Sequence, residues 1–325
     1  MRWIVLPVLI VACATAEDLW VGPAGSDANP GTRSRPLRTL EAARERVRRM
    51  LPRADRSLTV TVRDGIYPVE HSLAFGPDDS GRGSHTVTYR GEKGALPRIV
   101  AAQAVEGWER TPEGLYHARL EPGTSFQQLF LDDRRLTKAR HPDEGYFIVE
   151  APDTSDPLRS FGYAAEDLPE GWTPGPEMQV TIWAGWDWFS NTVPVRTVNR
   201  AHRIVTLEKP TLAPIVKHGQ RRYFFQGLRD ALDQPGEWFL NETTGDLWLI
   251  PPGDTLEGHT VWRPTANRVL QLKGDSPEQP VRNLVFENLD IGISAFGPYF
   301  MEIDGTHGRT TWNEPANLDG AVYLD

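Results

Sequence analysis

Carboxylates near the end of the sequence have a spacing that suits acid–base chemistry. Glu302 and Asp304 stand two residues apart in FMEIDG, and His307 follows them. On a β-strand, residues two apart project from one face about 6.5–7 Å from each other, which suits the carboxyl pair of an inverting glycosidase. Carboxylates stacked on neighbouring parallel strands would lie about 4.7–4.9 Å apart, which is close to the spacing in a retaining glycosidase, so both outcomes stay open. Asp319 and Asp325 add two carboxylates in NLDGAVYLD. These residues are candidate catalytic groups, although acidic side chains and Asp-Gly turns are also ordinary surface features.

An aromatic stretch earlier in the chain has residue types that bind sugars. Trp186 and Trp188 stand two apart in IWAGWDWFSNTVPV, which places both rings on one face of a strand. Asn191 follows them and could hydrogen-bond hydroxyl groups. These three are candidate substrate-binding residues. The alternative is packing inside the fold, which we expect for Trp238 and Trp248 in the hairpin EWFLNETTGDLWLI.

Other site chemistries have less support in the sequence. The eight histidines form no close ligand pair such as HExxH, so no zinc site is predicted. GPDDSG supplies Asp78 and Asp79, which could bind Ca²⁺, although a capped turn is the simpler interpretation. We therefore predict no cofactor and keep calcium as an alternative.

The composition indicates a turn-rich β-protein. The 325 residues include 29 Gly, 27 Pro and 11 Trp, with few long helical patterns. With 35 basic and 44 acidic residues, the formal net charge is −9, and no basic block is long enough to predict a nucleic-acid partner. Cys13 is the only cysteine, so neither disulfides nor cysteine catalysis are predicted.

Residues 1–16 are typical of a secretory signal peptide. Arg2 precedes the apolar run IVLPVLIVACA, and the small residues ATA end at Ala16, after which we expect cleavage. The run is too short to span a bilayer, which takes about 20 residues. We predict a secreted or periplasmic protein. Alternatively, IVAC resembles a lipobox, which would anchor the chain through a lipid on Cys13.

Helical and strand patterns organise the first hundred residues. Leu40, Ala43 and Val47 form an apolar stripe in TLEAARERVRRML, which predicts a helix over 39–51 that begins at Thr39. Short strand-like runs follow, and every second run lies about 27 residues on, as Val60 and Val87 do, which is typical of a solenoid coil. The runs are LTVTV (58–62), SLAF (72–75), TVTYR (86–90) and PRIVA (97–101).

The pattern changes in the middle of the chain and then returns. Residues 107–265 contain hairpin signals, including turns at Asp132-Asp133 and near Gly245, which predict an inserted antiparallel β-sandwich. The solenoid pattern reappears in VRNLVFENLDIGISAF, residues 281–296. We therefore predict a helical cap and first coils in residues 17–106 and resumed coils in 266–325.

Several stretches resemble, in order, the secreted right-handed parallel β-helix proteins that act on carbohydrates and carry an inserted β-sandwich, including glycoside hydrolase family 141. The resemblance implies an all-β fold, a right-handed parallel β-helix with an N-terminal capping helix and that insertion. The stretches are WVGPAGSDANPGT (20–32), VTVRDGIYPVEHSLAFGPDDSG (60–81), FQQLFLDDRRLTKARHP (126–142), RYFFQGLRDALDQPGEWFLNETTGDLWLIPP (222–252) and VRNLVFENLDI (281–291).

The function implied by this resemblance is hydrolysis of plant or algal cell-wall polysaccharides by paired carboxylates. Two alternatives stay open, because this fold also supports lyases and binding proteins. One is a calcium-dependent polysaccharide lyase, and the other is a non-catalytic glycan-binding surface protein. In each case the expected partner is a polysaccharide or oligosaccharide.

The last residues have the alternating pattern of a solenoid strand. Further coils follow this point in the family, so we expect the 325 residues to be an N-terminal fragment that lacks part of the catalytic site. Such a fragment would have little activity by itself. It would self-associate through Val322 and Leu324.

Overall fold

The computed structural model describes residues 18–153, 155–185, 187, 190–215, 219–295 and 321–324. Over these ranges the chain forms 27 β-strands and one α-helix, so the predicted all-β class is confirmed. No helix in the same ranges is long and apolar enough to cross a bilayer. The predicted signal peptide, including Cys13, lies outside the described residues.

Seven short strands and helix α1 (Leu40–Met50) form the first part of the fold. A 3-10 turn, Leu51–Arg53, continues the helix, and a second one, Pro77–Asp79, follows the fourth strand. The strands are β1 (Leu19–Val21), β2 (Leu58–Val62), β3 (Ile66–Pro68), β4 (Leu73–Phe75), β5 (Val87–Gly91), β6 (Arg98–Val100) and β7 (Ala102–Ala104).

Helix α1 forms where its capping signals predict. Thr39 Oγ1 accepts a hydrogen bond from the amide of Ala42 at 3.1 Å, which satisfies one of the free N–H groups of the first turn. The stripe of Leu40, Ala43 and Val47 is buried against the core. The predicted helix and its buried face are therefore confirmed.

Truncating Val47 to alanine should lower the free energy of unfolding by about 1–2 kcal/mol. The side chain is 1% exposed in the core shared by α1 and the neighbouring strands, so its loss leaves a cavity. Chemical denaturation measures the change. Arg49→Ala on the exposed side of the same helix is the matched control, and equal stability of the two variants would contradict the packing of α1.

The middle of the chain contributes sixteen strands in the described residues. Two 3-10 turns, Ala165–Asp167 and Arg229–Ala231, lie among them. The strands are β8 (Glu109–Arg110), β9 (Tyr116–Arg119), β10 (Phe130–Leu131), β11 (Arg134–Arg135), β12 (Thr137–Lys138), β13 (Arg140–His141), β14 (Phe147–Ile148), β15 (Ala151–Pro152), β16 (Ser160–Gly162), β17 (Gln179–Ile182), β18 (Asn191–Asn199), β19 (Ile204–Leu207), β20 (Arg222–Gln226), β21 (Glu237–Asn241), β22 (Asp246–Leu249) and β23 (Val261–Pro264).

Both predicted hairpins are present in this region. Strands β10 and β11 pair around Asp132, which adopts a left-handed φ of 54°. Strands β21 and β22 pair around Gly245, where φ is 79° and a Cβ atom would lie 2.2 Å from the carbonyl oxygen of Leu120. Glycine is thus required by both the backbone conformation and the close neighbour.

The final described strands are β24 (Leu270–Leu272), β25 (Leu284–Glu287), β26 (Asp290–Gly292) and β27 (Val322–Leu324). They join the first strands of the chain in three parallel sheets, ordered β1-β2-β5-β25, β3-β6-β26 and β4-β24-β27. Side chains of these sheets, other than those of β27, share one core with α1. Its aromatic centre is Phe75, Tyr89 and Phe286, with ring centroids 5.1–5.5 Å apart.

The predicted stacking of every second run is present for one pair and absent for the other. LTVTV (β2) pairs in parallel with TVTYR (β5), with a spacing of 29 residues between partners. Val87 lies opposite Leu58, whereas Val60 lies opposite Tyr89. SLAF does not pair with PRIVA, because β4 pairs with β24 from beyond the middle of the chain. β6 pairs instead with β3, a three-residue strand that was not predicted because it is short and ends at Pro68.

The remaining sheets are antiparallel apart from one parallel pair, β12 with β21. Eight strands form the largest sheet, in the order β13-β20-β17-β18-β19-β16-β15, with β14 also pairing with β20. Strand β7 pairs with β23 and so brings the two ends of the middle region together. The domain boundaries at 106/107 and 265/266 stay predictions.

Hairpin β21–β22 lies between two cores. Trp238 faces Leu249 across the hairpin and is fully buried in one core, with Leu240. Phe239 faces Trp248, and both contact the other core, that of the eight-stranded sheet. The expected packing role of Trp238 and Trp248 is therefore confirmed, and the two rings lie on opposite faces of the hairpin.

Candidate functional site: the outer face of the eight-stranded sheet

The eight-stranded sheet has one apolar face and one mixed face. In β20, Tyr223 and Phe225 point into the core, while the side chains between and beside them point away from it. We call the second surface the outer face. Gln179 and Thr181 on this face are buried, and its other members are at least partly exposed. Its residues on three neighbouring strands and the adjoining loops are Arg140, Tyr146, Gln179, Thr181, Trp183, Arg222, Phe224 and Gln226.

Strand register brings these side chains together. Gln226 of β20 lies between Arg140 of β13 and Gln179 of β17. Phe224 lies opposite Thr181, and the amide of Trp183 donates to the carbonyl oxygen of Arg222 at 2.9 Å. Residues that lie opposite each other project from the same face, so strands far apart in sequence build one surface.

Aromatic rings and guanidinium groups alternate on the outer face. The rings of Tyr146 and Trp183 meet edge to face, with centroids 4.9 Å apart. The guanidinium of Arg222 lies 5.1 Å from the Tyr146 centroid and 4.9 Å from that of Trp183. Tyr146 is 43% exposed, and Trp183 is half-buried. These cation–π contacts hold the rings in place while leaving part of their surface open.

The two arginines of the outer face differ in their partners. Arg222 Nη2 donates to the backbone carbonyl of Asp187 at 3.1 Å, and its Nε lies 3.9 Å from the Asp187 carboxylate. The guanidinium of Arg140 lies 3.9 Å from the centroid of Phe224. Among the described residues, no carboxylate lies within ion-pair distance of Arg140. Arg222 thus has a carboxylate at ion-pair distance, whereas the acidic groups that interact with Arg140, including Glu237 and Asp143, lie farther away.

Backbone carbonyls fix the Arg140 side chain. Its Nε donates to the carbonyl oxygen of Pro142 at 2.9 Å, and its Nη2 donates to that of Gly145 at 2.6 Å. The backbone amide of Arg140 donates to Glu237 Oε1 at 3.2 Å. Burial lowers the pKa of Arg140, yet a guanidinium stays charged in proteins. The site therefore contains a fixed, half-buried positive charge.

A row of polar side chains continues the face toward β12. Gln226 Nε2 donates to Gln179 Oε1 at 2.9 Å, and Gln179 Nε2 donates to Gln127 Oε1 at 3.0 Å. Lys138 Nζ donates to the same Gln127 oxygen at 3.0 Å. Lys138 is 8% exposed, and burial lowers its pKa to about 8. Gln179 and Lys138 are thus buried and bonded within the row, and the half-buried Gln226 is its member beside the arginine.

Most of the residues predicted to form a site lie outside the described residues. These are the catalytic candidates Glu302, Asp304, His307 and Asp319, and the substrate-binding candidates Trp186 and Trp188. Asn191 is described and is 4% exposed. Its Oδ1 accepts a hydrogen bond from the amide of Leu212 at 3.3 Å, which favours a structural role.

The capped-turn interpretation of GPDDSG is confirmed. Asp79 is 1% exposed, accepts a hydrogen bond from the amide of Gly76 at 2.8 Å and forms an ion pair with Arg48. No group of three or more His, Cys, Asp or Glu side chains in the described part of the chain is arranged to hold a metal ion.

Sequence reasoning missed the outer face, although a signal for it exists. In RYFFQ, Tyr223 and Phe225 are buried, and the residues that alternate with them are Arg222, Phe224 and Gln226. An aromatic residue between two inward-facing aromatics must point outward on a strand. Arg140 follows the same alternation after the buried Ala139.

Comparison with protein-family models finds no match. Comparison with curated proteins finds none either. Among solved structures, the chain is similar to one described as a glycoside hydrolase, with a TM-score of 0.74 and 20% identity, covering 84% of this chain and 50% of that chain. It also matches a structure described as the complex of XylC with xylose, with a TM-score of 0.34 and 12% identity, covering 83% of this chain and 34% of that chain. The chain thus spans half the length of the solved glycoside hydrolase, with which it shares a fold.

Proposed function

We propose that the chain is part of a glycan-degrading protein of the glycoside hydrolase type, and that the outer face binds the glycan. The observation that carries this proposal is the group of Tyr146, Trp183 and Phe224 beside Arg140 and Arg222 on one sheet. Aromatic rings supply apolar surface for the C–H side of a sugar, and neighbouring donors orient its oxygens.

The architecture that we propose for the chain is a right-handed parallel β-helix with an antiparallel insertion. Support comes from the three parallel sheets, whose side chains share one core with helix α1. The right-handed sense follows from the strong preference of parallel crossover connections. In this proposal helix α1 covers one end of the parallel β-helix. Residues 107–265 form the inserted β-sandwich, and residues 266–325 form further coils of the β-helix.

Catalysis in this proposal is by paired carboxylates. Glu302 and Asp304 are the first candidates, with His307 and Asp319 near them in sequence. The proposed substrate is a plant or algal cell-wall polysaccharide, and the proposed location is extracellular or periplasmic. The fold shared with a solved glycoside hydrolase is compatible with this chemistry.

Replacing Trp183 with alanine should weaken glycan binding about tenfold. The indole ring lies next to Tyr146 and Phe224, and its half-exposed surface is available for stacking against a sugar. Affinity electrophoresis of the chain in gels containing plant and algal glycans measures the binding. The matched control is Trp20→Ala, since Trp20 is also half-buried under two arginines but belongs to a parallel sheet.

The outcomes of this experiment separate the possible functions. If glycan-containing gels retain the chain, and Trp183→Ala reduces this retention while Trp20→Ala does not, the result supports glycan binding by the outer face. If the chain releases reducing ends from a glycan and Asp304→Asn does not, the result supports catalysis by the paired carboxylates. If the chain releases unsaturated sugars and a chelator abolishes their release, the reaction is that of a calcium-dependent lyase and not hydrolysis. Retention without products would support glycan binding but not hydrolysis by this chain, and no retention on any glycan would contradict the proposal.

A further inference from the structure

We propose that the glycan bound by the outer face carries carboxylate groups, and that Arg140 binds one of them. This inference rests on the proposed glycan-binding function of the same face. It names a substrate class, the acidic polysaccharides, which the neighbouring rings alone would not distinguish from neutral ones. Three features of Arg140 support it: a fixed position, the lack of a carboxylate at ion-pair distance among the described residues, and an aromatic neighbour.

The position of the Arg140 guanidinium is set before any ligand arrives. Two backbone carbonyls, those of Pro142 and Gly145, accept from Nε and Nη2, and the plane lies over Phe224. Nη1 makes no hydrogen bond to another described residue. A planar guanidinium held in this way loses little conformational entropy on binding and presents free N–H donors.

The charge of Arg140 has no close counterion in the described residues, and its carboxylate neighbours are engaged elsewhere. Glu237 Oε2 accepts hydrogen bonds from the amides of Asp233 and Gln234, and burial raises the pKa of Glu237. Asp143 Oδ2 accepts from the side chain of Gln234 at 2.9 Å. A guanidinium without a carboxylate at ion-pair distance favours an external anion.

The neighbours of Arg140 favour a sugar acid over a simple inorganic anion. Phe224 and Tyr146 offer apolar surface next to the guanidinium, at 3.9 and 6.0 Å from their centroids. Gln226 lies beside Arg140 on the next strand and provides a hydrogen-bonding amide. A pyranose ring on the aromatic surface would direct its carboxylate to the arginine, while the half-buried amide of Gln226 contacts a hydroxyl group.

Polygalacturonate and alginate, each compared with its carboxyl-reduced form, test this inference with the full chain. We expect the chain to bind the charged polymers at least about tenfold more tightly than their reduced forms, and added salt to narrow the difference. Arg140→Gln should remove the preference while leaving weak binding to both forms. Arg140→Lys should restore it only in part, because a lysine cannot form the two parallel hydrogen bonds of a guanidinium. Arg134→Gln, at an exposed arginine of β11, is the control.

The results distinguish failure of this inference from failure of the proposed function. Equal binding of the charged and reduced polymers, or a preference that survives Arg140→Gln, would overturn the role of Arg140 but leave glycan binding intact. Loss of affinity for both forms in Trp183→Ala would still support the outer face as the binding surface. No binding to any charged or neutral glycan would overturn both.

Discussion

Replacing Asp79 with alanine is expected to lower the free energy of unfolding by about 3–4 kcal/mol, the largest loss predicted for this chain. Asp79 is 1% exposed, and its two carboxylate oxygens accept from Arg48 Nε and Nη2 at 2.6 and 2.7 Å. The substitution leaves Arg48 with Glu45 as its remaining ion-pair partner, 3.1 Å from Nη1, and removes the acceptor for the amide of Gly76. Arg48 is one-third exposed, so water recovers part of the loss.

Chemical denaturation of three variants isolates this ion pair. The double variant Arg48→Met/Asp79→Leu should recover much of the stability lost in Asp79→Ala, because it removes both charges together. Asp78→Ala serves as the neighbouring control, since Asp78 belongs to the same turn and has no ion pair among the described contacts. A loss below about 1 kcal/mol in Asp79→Ala would show that the pair does not hold α1 against the turn.

Replacing Lys138 with methionine should raise stability at pH 7 by about 2 kcal/mol. The side chain is 8% exposed, and burial lowers its pKa from 10.5 to about 8, a difference equivalent to about 3 kcal/mol in favour of the neutral amine. At pH 7 the lysine is charged and this penalty is fully present. Loss of the hydrogen bond to Gln127 offsets part of the gain from the apolar side chain.

The stabilisation by Lys138→Met should depend on pH. Between about pH 8 and 10.5 the unfolded chain keeps the proton that the folded chain has released, so the stability of the unsubstituted protein rises with pH. The advantage of the methionine variant should therefore shrink across this window. Lys93→Met, at an exposed lysine, should show no such trend. A difference between Lys138→Met and the parent chain that stays constant from pH 7 to pH 10 would contradict the buried charge.

Local elements were predictable from the sequence because their signals are local. Thr39 and the apolar stripe define α1, and Gly245 defines a hairpin whose turn needs a left-handed residue. The pairing of the parallel strands was not predictable in the same way. Alternation shows which residues of a strand face the core, but it does not show which strand lies beside it. The pairing of β4 with β24, which nearly two hundred residues separate in sequence, could not be predicted for this reason.

The candidate site was harder to predict than the fold. Arg140, Trp183 and Phe224 belong to different parts of the chain, and only strand register brings them to one face. The sequence suggested Asn191 because of its hydrogen-bonding capacity, yet the structure buries it beside Leu212. Its polarity is explained by a loop amide that needs an acceptor, a requirement that appears only in the folded chain.

Titration calorimetry tests glycan binding by the outer face most directly. The full chain is titrated with the glycan that retains it most strongly in affinity electrophoresis. Trp183→Ala and Trp20→Ala are compared with the unsubstituted protein, and thermal unfolding shows that each variant is folded. We expect an affinity about tenfold lower for Trp183→Ala and an unchanged affinity for Trp20→Ala. Equal affinity of folded Trp183→Ala and the unsubstituted chain would contradict glycan binding by the outer face.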